Sequence, residues 1–343
     1  MQSLNIENIK IGQDYVPLVI PEIGINHNGS LKTAIEMVDA AFSAGARLIK
    51  HQTHIIEDEM SSEAKKVIPG NSTKSIYDVM AECALSEDEE LELMKYTMSK
   101  GMVFLSTPFS RAAAYRLEKF GVSAYKIGSG EMNNYPLIDL ISRFGKPMLV
   151  STGMNDMEAV KRTVDIITKN NCPFALLHTT NLYPTPPHLV RLGAMQELMS
   201  FGVPAGLSDH TLNNNACIAA IGMGASIVER HFTDRKDRVG NDIICSMDPE
   251  GLRELLTAAN EVFSMRGGVK APLAEEQVTI DFAFATVVAV KDIAAGEHFT
   301  HENIWVKRPG TGEIKAIDYE KVVGKKSKIA IEKDTHIEWG MVL

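Results

Sequence analysis

The sequence predicts a (β/α)8 barrel, the TIM-barrel class of α/β fold, followed by a small β-rich domain. Three observations predict it. A short apolar run that ends in polar residues occurs eight times, with helical segments between the runs. The runs are continuous rather than alternating, as parallel strands covered on both faces require. Eight such units in about 265 residues have the count and the length of a closed barrel. The competing architecture, a doubly wound open sheet, would carry a Gly-rich nucleotide turn after its first strand, and none is present.

The first strand is PLVIPEI, which runs into Asn26-His27-Asn28-Gly29. Leu31, Ile35, Val38 and Phe42 then recur at helical spacing on one face. Gly45 follows as a left-handed terminator, and residues 46–49 form the second strand, ending in Lys50-His51-Gln52. The pattern repeats. Gly101 precedes MVFL and Ser106-Thr107; Gly121 precedes VSAY and Lys126; Gly145 precedes KPMLV and Ser151-Thr152. Asn171 precedes CPFALL and His178-Thr179-Thr180; Gly202 precedes VPAGL and Ser208-Asp209-His210; Gly224 precedes ASIV and Glu229-Arg230-His231. Residues 53–74 interrupt the rhythm with a polar insertion at a strand-to-helix junction, which is either a lid or a solvated loop. The barrel is expected over 1–268 and a linker over 269–281. A domain of short alternating runs (ATVVAVKDI, KIAIEK) and Gly-containing turns is expected over 282–343. So small a unit buries little core alone, which favours packing against a barrel, its own or a neighbour's.

Composition narrows the function. The chain has 343 residues, 45% hydrophobic and 23% charged, which is ordinary for a globular protein. Its 35 Lys and Arg against 44 Asp and Glu give a net charge of −9, which argues against nucleic acid as the main partner. No apolar stretch is long enough to span a membrane. MQSLNIENIKIGQDY has neither the basic nor the apolar segment of a signal peptide, so a cytoplasmic location is expected. The cysteines at 83, 172, 217 and 245 have no metal-knuckle or redox spacing and are expected to be reduced thiols.

In such a barrel the C-terminal strand ends converge on one mouth, where catalysis is found. The residues expected there are Glu22, Asn26, His27, Lys50, Gln52, Ser106, Thr107, Lys126, Ser129, Glu131, Ser151, Thr152, His178, Thr180, Asn181, Tyr183, Ser208, Asp209, His210, Glu229 and His231. Lys50 and Lys126, among hydroxyl and amide donors, suit an anionic and phosphorylated substrate; the alternative is that each lysine pairs with a barrel glutamate. His210 and His231 end neighbouring strands and can share a divalent ion with water and substrate oxygens. Mn²⁺ or another octahedral ion suits mixed nitrogen and oxygen ligation; the alternative is two hydrogen-bonding histidines and no metal. Glu22 and Glu131 are general acid/base candidates, or salt-bridge partners of the lysines. His27 and His178 read as structural or substrate-orienting. Cys245 follows Asp242 in GNDIICSMDPE and either lines the pocket or serves as a thiol, although no activating base is apparent.

The segments PEIGINHNGS, IKHQTH, STPFS, YKIGSGEMNNYPL, VSTGMN, TTNLYPTP, GLSDHT, ERHFTD and WVKRPG, taken in order, closely resemble the bacterial sialic acid (N-acetylneuraminate) synthases over essentially the whole chain. The resemblance implies a barrel followed by a type III antifreeze-like (SAF) domain. It implies condensation of phosphoenolpyruvate with N-acetylmannosamine and water, giving N-acetylneuraminate and phosphate, for capsule or lipopolysaccharide biosynthesis. It implies a homodimer in which each small domain caps the partner's barrel. By matching position, Lys50, Thr107, Lys126, Ser129, Ser151, Asn181 and Ser208 would hold phosphoenolpyruvate. His210 and His231 would ligate Mn²⁺, with Mg²⁺ or Co²⁺ as substitutes, and His231 would count among the catalytic residues. Gln52, Tyr183 and Asp242 would contact the sugar, Glu22 would bind a sugar hydroxyl, and Glu131 would move the proton. Arg308 would bind the N-acetyl group in the partner's site. The alternatives are a sister synthase making legionaminate or pseudaminate from a 2,4-diacetamido sugar, and a non-catalytic sugar-binding barrel.

Overall fold

The structure is a computed structural model that describes residues 2–70 and 72–343. It divides into two units, Met1–Arg266 and Gly267–Leu343. The first begins with a hairpin, β1 (Leu4–Ile6) and β2 (Ile9–Ile11), closed by a two-residue turn with Glu7 at positive φ. Eight strands follow: β3 (Leu18–Gly24), β4 (Leu48–Thr53), β5 (Val103–Pro108), β6 (Tyr125–Ile127), β7 (Met148–Ser151), β8 (Phe174–Thr179), β9 (Ala205–Asp209) and β10 (Ile227–His231). Among the described residues these eight close into one parallel barrel, with β10 pairing to β3.

Strand parity positions the site. Along each strand alternate side chains point inward. Leu18, Ile20, Leu48, Val103, Leu105, Ala124, Leu149, Ala175, Leu177 and Ile227 form one inner core with the hairpin residues Leu4, Ile6, Ile9 and Ile11. Two residues further along the same faces, the inward positions become Glu22, Lys50, Thr107, Lys126, Ser151, Thr179 and Glu229, which line a cavity. The barrel interior is thus apolar and sealed by the hairpin at one end, and polar and open at the other. The opposite parity of β3 to β10 packs under the helices in a second, larger core that includes Val19, Ile49, Phe104, Tyr125, Val150, Leu176, Leu207 and Val228.

The helices start as their caps dictate. Ser30, Ser75, Ser86, Ser110, Asp156 and Asp248 each accept a backbone N–H of the first turn, and Ser86 forms a full capping box with Glu89. The insertion over 53–74 is not structureless. It holds a short helix, Ile56–Glu59, and a 3-10 turn, Ser62–Lys66; the Asp58 carboxylate accepts the Ala112 N–H, tying the insertion to the helix after β5.

The second unit holds an antiparallel pair, β11 (Thr286–Ala289) and β12 (Ile304–Lys307), around its own core of Val287, Ala289, Ile293, Phe299, Ile304, Ile314 and Val322. The expected linker over 269–281 is corrected here. Ala274–Glu276 is a 3-10 turn and Gln277–Ala283 an α-helix, and the Asp281 carbonyl accepts the Gly310 N–H, so this helix belongs to the small unit. Among the described residues no helix is long and apolar enough to cross a membrane.

Candidate active site

A cavity of about 170 Å³ lies at the polar end of the barrel. It is lined by Glu22, Gln52, Lys50, Thr107, Lys126, Ser129, Glu131, Ser151, Asn181, Tyr183, Ser208, His210, Glu229 and His231 among others. Asp242 is not a lining residue, but it is buried, with its carboxylate 3.8 Å from His231 Nδ1. Arg308 is exposed on the second unit, directly after β12.

Seven residues expected at the mouth do other work. Ser106 and Asp209 sit one position out of phase with Thr107 and Ser208, so they face the helices. Ser106 bonds Thr53 at 2.7 Å, and Asp209 pairs with the buried Arg230 at 3.3 Å. Asn26 donates to the Phe232 carbonyl and to Ser246 Oγ. Thr152 and Thr180 donate to the carbonyls of Leu177 and Leu189. His178 is fixed on the Val190 carbonyl at 2.7 Å. His27 stacks on His51 at 5.3 Å, and burial pulls its pKa down to about 3. Cys245 is also buried; burial pushes its thiol up to about 12, which leaves no thiolate for catalysis.

The charges are arranged around Glu229. Lys50 Nζ lies 2.6 Å from Glu22 Oε1 and 3.4 Å from Glu229 Oε1, and Lys126 Nζ lies 3.6 Å from the same Glu229 oxygen. Both lysines therefore pair with barrel glutamates, and Glu229 is their shared counter-ion, a role that a strand-end position alone does not reveal. The two ammonium groups are not equivalent. Burial opposes the charge of Lys50, but Glu22 and Glu229 outweigh it and its pKa is raised. Burial wins at Lys126 despite Glu229, aided by the Lys50 charge, and its pKa falls to about 8. Ser151 Oγ accepts from Lys126 at 2.7 Å, and Ser208 Oγ donates to Glu229 at 3.2 Å.

Glu131 makes no ion pair with either lysine within 4.0 Å. Burial, and then the charge of Glu59, raises its pKa to about 7, so it holds a proton near neutrality. Its carboxylate approaches Gly128 so closely that a Cβ there would collide with Oε2. Gly153 has the same role on the other side, where a Cβ would collide with Asn181 Oδ1.

The histidine pair closes the cavity. His210 Nδ1 donates to the Thr180 carbonyl at 3.0 Å, which fixes the tautomer and leaves Nε2 with its lone pair. Burial pulls the pKa of His210 down to about 3, so the ring is neutral. His231 is raised instead: burial opposes its charge, but Glu22 and Asp242 override it. Its Nδ1 lies 2.6 Å from Glu22 Oε2 but off the N–H axis, so this buried nitrogen has no aligned hydrogen bond. The two rings are 5.3 Å apart, and Tyr183 packs on His210 at 4.1 Å. Among the described residues no three His, Cys, Asp or Glu side chains gather as a ready-made metal site. The donor set fits an ion held by two imidazoles, with water and substrate supplying the rest.

Of the fourteen buried side-chain polar atoms without a partner among the described residues, six belong to this cavity: those of Thr107, Glu131, Thr179, Asn181, Glu229 and His231. Buried polar groups are normally paired, so such a concentration marks a site shaped for a polar ligand.

Comparison with known proteins agrees in kind. Residues 37–271 match the NeuB family model, and residues 284–343 match the SAF domain model. The chain belongs to the NeuB family. This NeuB-family chain is 34% identical to the N,N'-diacetyllegionaminic acid synthase of Campylobacter jejuni over 90% of its length and 95% of that protein's. It is 30% identical to human N-acetylneuraminate-9-phosphate synthase, over 95% and 93% of the two chains. The crystal structure of N-acetylneuraminic acid synthetase from Leptospira borgpetersenii matches with a TM-score of 0.75 at 29% identity, covering 81% of this chain and 95% of that one. NeuB-family membership makes the barrel a sugar-acid synthase scaffold, and the separate match over 284–343 makes the small unit a SAF domain.

Proposed function

We propose that the protein condenses phosphoenolpyruvate with N-acetylmannosamine and water, giving N-acetylneuraminate and phosphate. The observation that carries this reading is the cavity itself. Two lysines share one glutamate beside unpartnered hydroxyl and amide groups, and a neutral histidine and a protonated glutamic acid stand within the same 170 Å³. Lys50, Thr107, Lys126, Ser129, Ser151, Asn181 and Ser208 are assigned to phosphoenolpyruvate, whose phosphate would relieve the unfavourable burial of the Lys126 charge. Gln52, Tyr183, Asp242 and Glu22 are assigned to the sugar.

His210 and His231 would hold a divalent ion, with Mn²⁺ the best fit; when bound it supplies Lewis-acid polarisation of the aldehyde oxygen. C3 of phosphoenolpyruvate attacks the aldehyde carbon, and Glu131 delivers its proton to the oxygen that becomes a hydroxyl. Glu22 and Glu229 face the positive charge that develops at C2. Water adds there; one of its protons replaces the one Glu131 donated, and the other leaves with the phosphate as the C2–O bond to phosphate breaks and the C2 carbonyl forms. Holding both reactants in contact within one cavity supplies much of the acceleration.

Phosphate release from the EDTA-treated protein, with and without Mn²⁺, tests this across N-acetylmannosamine and its 2,4-diacetamido relatives. Metal-dependent release with N-acetylmannosamine is the expected result. Release only with a diacetamido sugar would support a legionaminate synthase, the reading favoured by the identity to the Campylobacter relative. Absence of phosphate release with every sugar in the panel would leave a non-catalytic binding barrel.

Arg308, assigned to the N-acetyl group and supplied by a second copy of the chain, is tested separately. Arg308→Ala is expected to raise KM for the sugar by about tenfold or more, the worth of one charge-assisted hydrogen bond, with KM for phosphoenolpyruvate little changed. Equal rises for both substrates would count against the assignment.

A further inference from the structure

The insertion after β4 holds a buried histidine, His54, that the proposed chemistry does not use; its partner is Glu59, whose charge bears on Glu131. His54 Nδ1 lies 2.8 Å from Glu59 Oε2, and its Nε2 lies 3.0 Å from Gln52 Oε1. The side chains of His54 and Glu59 are 2% and 9% exposed, so water does not substitute for these contacts. The His54 ring stacks on Phe109 at 4.4 Å and 17°, which fixes its plane. Gln52 in turn donates through Nε2 to Glu22 Oε1 at 2.6 Å, the oxygen that also accepts from Lys50.

Donor and acceptor counting sets the direction of this chain. The Glu22 carboxylate only accepts, so the Gln52 amide must turn its NH₂ toward it. That leaves the Gln52 oxygen facing His54, and this oxygen also only accepts. His54 Nε2 must therefore carry a proton. On the other side Nδ1 meets the Glu59 carboxylate, and one proton lies between them. Without the His54 donor, Glu22 alone would orient the amide, and the Gln52 oxygen would lose the contact that holds the NH₂ on Glu22.

We propose that His54, oriented by Glu59 and Phe109, is a positioning residue that fixes the polarity of the Gln52 carboxamide, so that Gln52 presents N–H groups to Glu22 and to the incoming sugar. The sugar half of this statement rests on the condensation proposed above; the polarity of the amide does not.

Two variants separate this role from simple packing. A Gln side chain at 54 can place its amide nitrogen near the position of Nε2 and keep the donation. Asn reaches only the position of Nδ1 and loses it. His54→Gln is expected to keep KM for the sugar near the wild-type value. His54→Asn is expected to raise it by about tenfold, the worth of one hydrogen bond, while KM for phosphoenolpyruvate and the melting temperature match those of His54→Gln. Equal sugar KM values in the two variants would overturn the proposal. An independent measurement needs no turnover. In the ¹⁵N-histidine-labelled wild-type protein, the His54 resonance, identified by its loss in His54→Gln, should show Nε2 protonated at neutral pH. A bare Nε2 would overturn the proposal even if the condensation reaction proceeds. A protonated Nε2 would uphold the positioning role even if no sugar in the panel is turned over.

Discussion

Replacing Glu131 by Gln is expected to lower kcat by about 10²- to 10⁴-fold, the usual worth of a positioned general acid, and to make the protein more stable at alkaline pH. The two effects have one cause. Burial and the nearby Glu59 charge raise this carboxyl to about 7, so the folded state favours the protonated form. Relative to an ordinary carboxyl, whose value is near 4.5, the cost of ionising it in the folded protein is absent below that value. The cost grows as pH rises from about 4.5 to 7 and stays constant above. The shift corresponds to on the order of 2 kcal/mol once partial solvent access is allowed for. Glu131→Gln carries no charge and escapes that cost. Thermal unfolding at pH 8.5 should show the variant melting above the wild type, and at pH 4.5 the difference should vanish. An unchanged kcat with the same stability gain would keep the electrostatics and remove Glu131 from catalysis. In the wild type, turnover should decline above about pH 7 as the donor proton is lost.

The barrel was legible in the sequence because each strand carries its own punctuation: a terminator, an apolar run and a polar end. The location of the site followed from the polar ends. Which polar residues enter the cavity did not follow, because parity at a strand end depends on register against both neighbours. Ser208 and Asp209 are adjacent and equally polar, yet β10 pairs so that Ser208 faces Glu229 across the interior while Asp209 meets Arg230 beneath the helices. A one-residue difference reverses the face. The same uncertainty left Glu229 without a role, although it is the counter-ion of both lysines. The N-terminal hairpin did have a signal. LNIENIKI alternates apolar and polar residues around Glu7-Asn8, and the structure buries every second residue of both strands. The helix Gln277–Ala283 had little signal, being short, rich in β-branched and aromatic residues, and free of any fully buried residue. His54 stands one residue beyond a strand, where a histidine alone carries no direction.

The two cavity lysines should respond in opposite ways to the same substitution. Lys50→Met removes the ammonium that lies between Glu22 and Glu229 and leaves two buried carboxylates short of a partner. Breaking such a buried pair costs about 3–5 kcal/mol. Glu22 is held well below the usual carboxylate range because His231 and Lys50 outweigh its burial. A lowered carboxylate contributes stability that is present above its unfolded value and is lost as pH falls through the folded one. The deficit of Lys50→Met should accordingly be full at pH 7 and shrink toward acid. Lys126→Met is the reverse case. The folded protein pulls Lys126 down to about 8, so its charge destabilises the fold at every pH below that value. The penalty fades only between about 8 and the ordinary lysine value near 10.5. Denaturant unfolding at pH 7 should therefore show Lys50→Met losing stability and Lys126→Met holding or gaining it, with phosphate release abolished in both. Inorganic phosphate should stabilise the wild type more than Lys126→Met, because an anion beside Lys126 repays the burial of its charge. If Lys126→Met proved as damaging as Lys50→Met, Lys126 would be a structural ion-pair partner, and the assignment of the cavity to an anion would lose its main physical support.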